Sequence, residues 1–136
     1  MGKILDKLFG LDGKTIVLGG GAGQIGFAMA LALADAGARI AIADIDTEMA
    51  ESKLKAADQE LAARISVYRL DVSSLPAVRE TLAKIAEIHG SVYGLVNCFH
   101  FKGNTRKLDT SSNFFAGFED YPEEAWDLVH DVNLKG

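Results

Sequence analysis

Short runs of β-branched and aliphatic residues alternate along this chain with longer segments whose apolar positions recur at helical spacing, the pattern of βαβ units on a parallel sheet. A first strand is predicted at Thr15–Leu18, entered through a turn at Asp12-Gly13. An alanine-rich helix follows from about Gln24 to Ala36 and stops at Gly37. The second strand, Arg39–Ala43, ends at Asp44. Thr47 is the expected cap of a helix that sets Ala50, Leu54, Ala57 and Leu61 on one face. A third strand, Ile65–Leu70, ends at Asp71; Ser73 or Ser74 then caps a helix with Leu75, Val78, Leu82 and Ile85 inward. Gly90 closes that helix, and Ser91–Val96 forms a fourth strand. Periodicity fails over residues 98–121, which read as a long loop of the kind that is usually functional or mobile. A last helix, Glu123 to about Val132, begins at Pro122. Residues 3–9 fit a short amphipathic helix. Right-handed crossovers then give the strand order 3-2-1-4, with a nucleotide-sized crevice above strands 1 and 4.

That crevice is where the richest stretch of glycine falls. Gly19-Gly-Gly-Ala-Gly-Gln-Ile-Gly26 lies between the first strand and its helix, and Gly21, Gly23 and Gly26 satisfy G-x-G-x-x-G. The expression alone is weak in a chain with 14 glycines; its position after a strand and before a helix gives it weight. Glycines let the backbone approach a pyrophosphate, and a helix N-terminus offers free N–H groups and a positive dipole end. Asp44 ends the second strand 23 residues beyond Gly21, close to the spacing at which an acid meets the adenosine ribose hydroxyls. Asp46 is near enough to share that role. No Arg or Lys occurs at 20–26 or 45–52 to neutralise a 2′-phosphate, so NAD is favoured over NADP.

Composition narrows the remaining choices. The 136 residues suit a single domain, 49% hydrophobic and 24% charged, which is an ordinary globular balance. A net charge of −5 without a basic run argues against nucleic acid and anionic membranes as partners. No apolar stretch approaches the roughly 20 residues of a membrane span, and the N-terminus has no signal-peptide core, so a cytoplasmic location is expected. Cys98 is the single cysteine, which excludes an intrachain disulfide and a cysteine-based metal cluster; no metal site is expected.

Taken in order, Gly20-x-x-Gly23-x-x-Gly26, Asp71-Val72, Asn97 and Asp131-Val-Asn-Leu-Lys-Gly136 resemble the short-chain dehydrogenase/reductase family from about Gly13 to the last residue. The resemblance implies the N-terminal Rossmann portion of an NAD-dependent oxidoreductase that exchanges hydride with an alcohol or carbonyl. It implies a phosphate cradle of Gly20, Gly21, Gly23, Gln24, Ile25 and Gly26, with Asp44 on the ribose. Asp71 would accept from the adenine amino group beside an apolar contact from Val72. Asn97 would line the crevice, and Asn133 would be the asparagine of the catalytic tetrad. Three positions depart from the family pattern: Gly19 stands for a bracing threonine, Gln24 for a glycine of the common branch, and Asn97-Cys-Phe-His100 for Asn-Asn-Ala-Gly. The stretch Phe99–Tyr121 also looks like dehydrogenases encoded with nucleotide-sugar and surface-polysaccharide biosynthesis, with Phe101, Phe114, Phe115 and Phe118 beside Asn104, Arg106 and Asn113 as candidate substrate contacts.

The family's chemistry further needs a serine and a Tyr-x-x-x-Lys. Four residues beyond Tyr68, Tyr93 and Tyr121 stand Val72, Asn97 and Ala125, so the 136-residue chain is expected to be inactive by itself. Two rivals stay open: a non-catalytic NAD-binding or interaction module, and part of a nucleotide-sugar epimerase or dehydratase. With no strand predicted beyond the fourth, its outer edge is expected to be covered by another copy, giving a homo-oligomer.

Overall fold

The computed structural model describes residues 7–101 and 116–136. Four strands, β1 (Thr15–Gly19), β2 (Arg39–Asp44), β3 (Ile65–Arg69) and β4 (Val92–Asn97), form one parallel sheet in the order β3-β2-β1-β4. This is the predicted α/β Rossmann-type topology. The helices are α1 (Gln24–Asp35), α2 (Thr47–Ala56), α3 (Gln59–Ala62), α4 (Leu75–His89) and α5 (Glu123–Asn133), with a 3-10 turn at Phe118–Asp120. Among the described residues, no helix is long and apolar enough to cross a membrane. Residues 7–9 are helical; the rest of the predicted segment 3–9 lies outside the described residues.

Strand alternation sends successive side chains to opposite faces, and each face has its own core. Ile16, Leu18, Ile40, Ile42 and Ile65 pack against Ala30 and Ala34 of α1 and Ala50 of α2. On the other face, Val17, Ala41, Ala43, Tyr68 and Leu70 meet Ile85 of α4, with Phe99 packed beside them. Small residues at Ala30, Ala34 and Ala50 let α1 and α2 lie close to the strands. The β1–β4 register shifts between Thr15 and Ile16, so Tyr93 is skipped; its ring lies 4.3 Å from the Lys14 ammonium. No strand among the described residues pairs with the far side of β4, and Tyr93 and Leu95 there are 63% and 66% exposed.

Local capping departs from the pattern in two places. Asp46, not Thr47, caps α2, accepting from the Met49 N–H at 3.2 Å; a carboxylate reaches that donor and complements the helix dipole. The helix expected to run to Leu61 breaks at Ala57, because Asp58 accepts from the N–H groups of Glu60 and Leu61 and starts α3. That local Asx capping outcompetes continuation of the helix. Of the two serines proposed before α4, Ser74 is the cap.

Candidate functional site

The β1–α1 turn opens onto a crevice of about 890 Å³ above the C-terminal ends of the strands. Gly20 turns the chain with φ +71°, and a Cβ there would stand 2.5 Å from the Cys98 carbonyl oxygen. Gly26 lies where α1 crosses the turn; its Cβ would stand 2.5 Å from the Gly20 oxygen and 2.9 Å from the Gly21 Cα. Only glycine allows both approaches. Gly21 is buried against Ile42 and Leu18 behind the loop, outside the crevice wall. Gly23, by contrast, is exposed, and a Cβ on it would meet nothing nearer than the Gly20 oxygen at 3.2 Å.

Helix α1 starts without a side-chain cap and without an acidic residue in its first turn. Its first intrahelical bond at this end runs from the Phe27 N–H to the Gly23 carbonyl at 3.0 Å. The N–H groups of Gln24, Ile25 and Gly26 precede that bond and are the helix's orphan donors. Gln24 and Ile25 are exposed and border the crevice with Gly26. An open glycine face beside uncapped donors at the positive end of a helix fits a pyrophosphate.

Asp44 ends β2 on the crevice wall, half-buried. One of its oxygens accepts from the Ala22 N–H and the other from the Asp46 N–H, both at 2.9 Å. Each carboxylate oxygen carries a second lone pair, so the group retains acceptor capacity while it braces the loop. Asp71 and Val72 follow β3 on the same wall. Asp71 Oδ1 accepts from the Ser73 hydroxyl at 2.6 Å and the Ser73 N–H at 3.0 Å, a turn that fixes its direction. Val72 also borders the Asn133–Gly136 segment, where a Cβ on Gly136 would meet its methyls at 2.7 and 3.0 Å.

The end of β4 explains two departures from the family pattern together. A Cβ at Gly19 would collide with the Phe99 ring, meeting its Cζ at 2.8 Å and Cδ2 at 2.9 Å. The ring therefore occupies the space that a threonine at 19 would need, and glycine at 19 is the condition for phenylalanine at 99. Asn97 is exposed and outside the crevice wall; its Oδ1 accepts from the Phe99 N–H at 3.0 Å. Cys98, with Sγ 3.9 Å from Met29 Sδ, and the exposed His100 do border the crevice. Asn133 clamps the backbone of the buried Phe101: its Oδ1 accepts from the Phe101 N–H at 2.7 Å, and its amide donates to the Phe101 carbonyl at 2.9 Å. Asn104, Arg106, Asn113, Phe114 and Phe115, proposed as substrate contacts, lie outside the described residues.

Two cations also reach the backbone beside the turn. Lys53 of α2, one residue beyond the cation-free stretch 45–52, donates from its ammonium to the Ala22 carbonyl at 2.6 Å. Arg69, at the end of β3, donates to the Ile45 carbonyl at 3.0 Å. Two cations thus bond to the backbone on either side of Asp44, at Ala22 and at Ile45. Helix packing brings Lys53 to a loop 31 positions away in sequence, and no local spacing carries that signal.

Known proteins are similar to this chain in sequence and fold. A family model described as enoyl-(acyl carrier protein) reductase matches residues 20–136. The 3-oxoacyl-[acyl-carrier-protein] reductase FabG of Thermotoga maritima is 33% identical over 126 residues, covering 93% of this chain and 46% of the relative. The short chain dehydrogenase/reductase dpmpG of Macrophomina phaseolina is 35% identical over 130 residues, covering 93% of this chain and 66% of its own length. The crystal structure of NAD+-bound xylitol dehydrogenase superposes with a TM-score of 0.72 at 28% identity, covering 91% of this chain and 44% of that one. The chain spans about half the length of the Thermotoga reductase and of the xylitol dehydrogenase. With the glycine turn, the strand-end acids and the 3-2-1-4 sheet, these matches establish that the chain belongs to the short-chain dehydrogenase/reductase family.

Proposed function

We propose that the 136 residues are one nucleotide-binding domain that holds NAD(H) in the crevice above β1 and β4, as part of an NAD-dependent alcohol or carbonyl oxidoreductase. The observation that carries this reading is the open face of Gly23 beside the uncapped N-terminus of α1, with the Asp44 carboxylate on the same wall. Orphan N–H groups of Gln24, Ile25 and Gly26 bind the pyrophosphate, and Asp44 accepts from the adenosine ribose. Asp71 and Val72 take the adenine. Asn133, by clamping Phe101, holds the segment after β4 against α5 and so fixes the nicotinamide end of the crevice. A bound nicotinamide dinucleotide supplies hydride exchange, and the protein's share is to bind and orient it. Xylitol dehydrogenase with bound NAD+ is a structural relative that supports this choice of cofactor. The substrate class stays at alcohol or carbonyl, and the location at cytoplasmic.

Calorimetric titration tests the reading. NADH is expected to bind more tightly than NADPH, and Asp44→Ala to narrow the gap, because it removes both the ribose acceptor and the repulsion of a 2′-phosphate. Equal or tighter binding of NADPH by the unaltered protein would contradict the choice of NAD. Absence of binding by either dinucleotide would favour a domain that serves as an interaction module.

A further inference from the structure

Two charged side chains from different elements hold the same residue of the glycine turn. The Ala22 N–H donates to Asp44 at the end of β2, and the Ala22 carbonyl accepts from Lys53 of α2. Ala22 is 2% exposed, so the polar groups of its backbone depend on these partners. With bonds of 2.9 and 2.6 Å on either side, the ammonium stands no more than about 9 Å from the carboxylate across the span of one residue. That is within a Debye length of about 10 Å at 0.1 M salt, so both charges act on one spot. The ammonium has two further donors and, among the described residues, no second hydrogen-bond partner; it lies 5.5 Å from the centroid of the Phe27 ring.

We propose that Lys53 is the specificity-determining partner of Asp44: it pins the Ala22 carbonyl and supplies the positive charge that offsets the carboxylate on the adenosine 2′ side. This rests on the dinucleotide reading above. Asp44 alone would reject a 2′-phosphate strongly. Lys53 weakens that rejection, so the protein discriminates between the cofactors by the balance of two charges. A purely structural lysine would have a different signature. Losing it would loosen the turn and weaken every adenosine ligand by the same factor, whereas losing a charge weakens ligands in proportion to the phosphate they place beside it.

The test uses adenosine 5′-monophosphate and adenosine 2′,5′-bisphosphate, which differ by the 2′-phosphate alone, titrated calorimetrically into the 136-residue protein. Lys53→Met keeps the aliphatic stem and removes the charge; Lys53→Arg restores it; Arg69→Met controls for the neighbouring cation. Lys53→Met is expected to weaken the bisphosphate relative to the monophosphate by about two- to fivefold, the size of a part-exposed charge pair. Lys53→Arg is expected to recover most of that ratio, and the shift is expected to shrink in high salt. An unchanged ratio in Lys53→Met, or a shift produced by Arg69→Met instead, would overturn the proposal while leaving the cofactor reading intact. If the unaltered protein binds neither nucleotide, both fall together.

Discussion

Placing threonine at position 19 restores the residue common in the family, yet it is expected to harm this protein. Gly19 is buried in β1, and its missing side chain is replaced by the Phe99 ring, whose Cζ and Cδ2 would lie 2.8 and 2.9 Å from a Cβ. Three added heavy atoms would force the ring out of its place against the core cluster that Val17, Tyr68 and Ile85 belong to. Overpacking of this kind costs about 1–3 kcal/mol. Phe99→Ala alone leaves a gap; full burial of phenylalanine would put the loss at about 3–5 kcal/mol, and the half-buried Phe99 belongs below that range. The double variant, Gly19→Thr with Phe99→Ala, refills the gap and is expected to be no less stable than Phe99→Ala alone. The coupling between the two positions should therefore reach about 1–3 kcal/mol, as for residues in direct contact. Urea denaturation of the four proteins, with unchanged slopes as the check on two-state behaviour, measures it. A Gly19→Thr protein within about 0.5 kcal/mol of its parent, or additive losses in the double variant, would refute the argument.

The remaining expectations concern pH, assembly and catalysis. Burial raises the Tyr68 pKa above 10.0, and its hydroxyl lies 2.7 Å from His89 Nε2. The native state thus favours the neutral phenol, so its contribution is complete below pH 10 and is lost as pH rises through the elevated folded value. Denaturation from pH 8 to 11 should show a steeper alkaline loss in the parent than in Tyr68→Phe, and equal slopes would count against it. The far side of β4, with exposed Tyr93 and Leu95 and no proline, is expected to drive self-association at micromolar concentration. Light scattering across dilution should register dissociation in Val92→Lys; a monomeric parent unaffected by the substitution would disprove this. No tyrosine of the chain has a lysine four positions on, so the 136-residue protein should give no steady NADH production with a panel of alcohols. General acid–base catalysis typically contributes 10²–10⁴-fold, and clean turnover would show that another residue supplies it.

The alternation of period-2 and period-3.6 segments was enough to determine the four strands, the helical segments between them apart from the break at Ala57 and, through crossover handedness, the order 3-2-1-4. Those features are local or follow from chirality, so Thr15–Gly19, Arg39–Asp44 and Ile65–Arg69 appear within a residue of their predicted bounds. The glycine turn and the position of Asp44 were legible for the same reason, since strand, turn and helix are consecutive in the chain. Capping was less legible: Asp46 and Thr47 are both good caps by type, and only backbone geometry decides which one reaches Met49. Beyond these, tertiary structure decided. It drew Gly21 and Asn97 away from the crevice wall, set the Phe99 ring against Gly19, and turned Asn133 onto the backbone of Phe101. It also carried Lys53 to Ala22, because the packing of α2 against the sheet, unlike the spacing of residues along the chain, fixes which cation faces the turn.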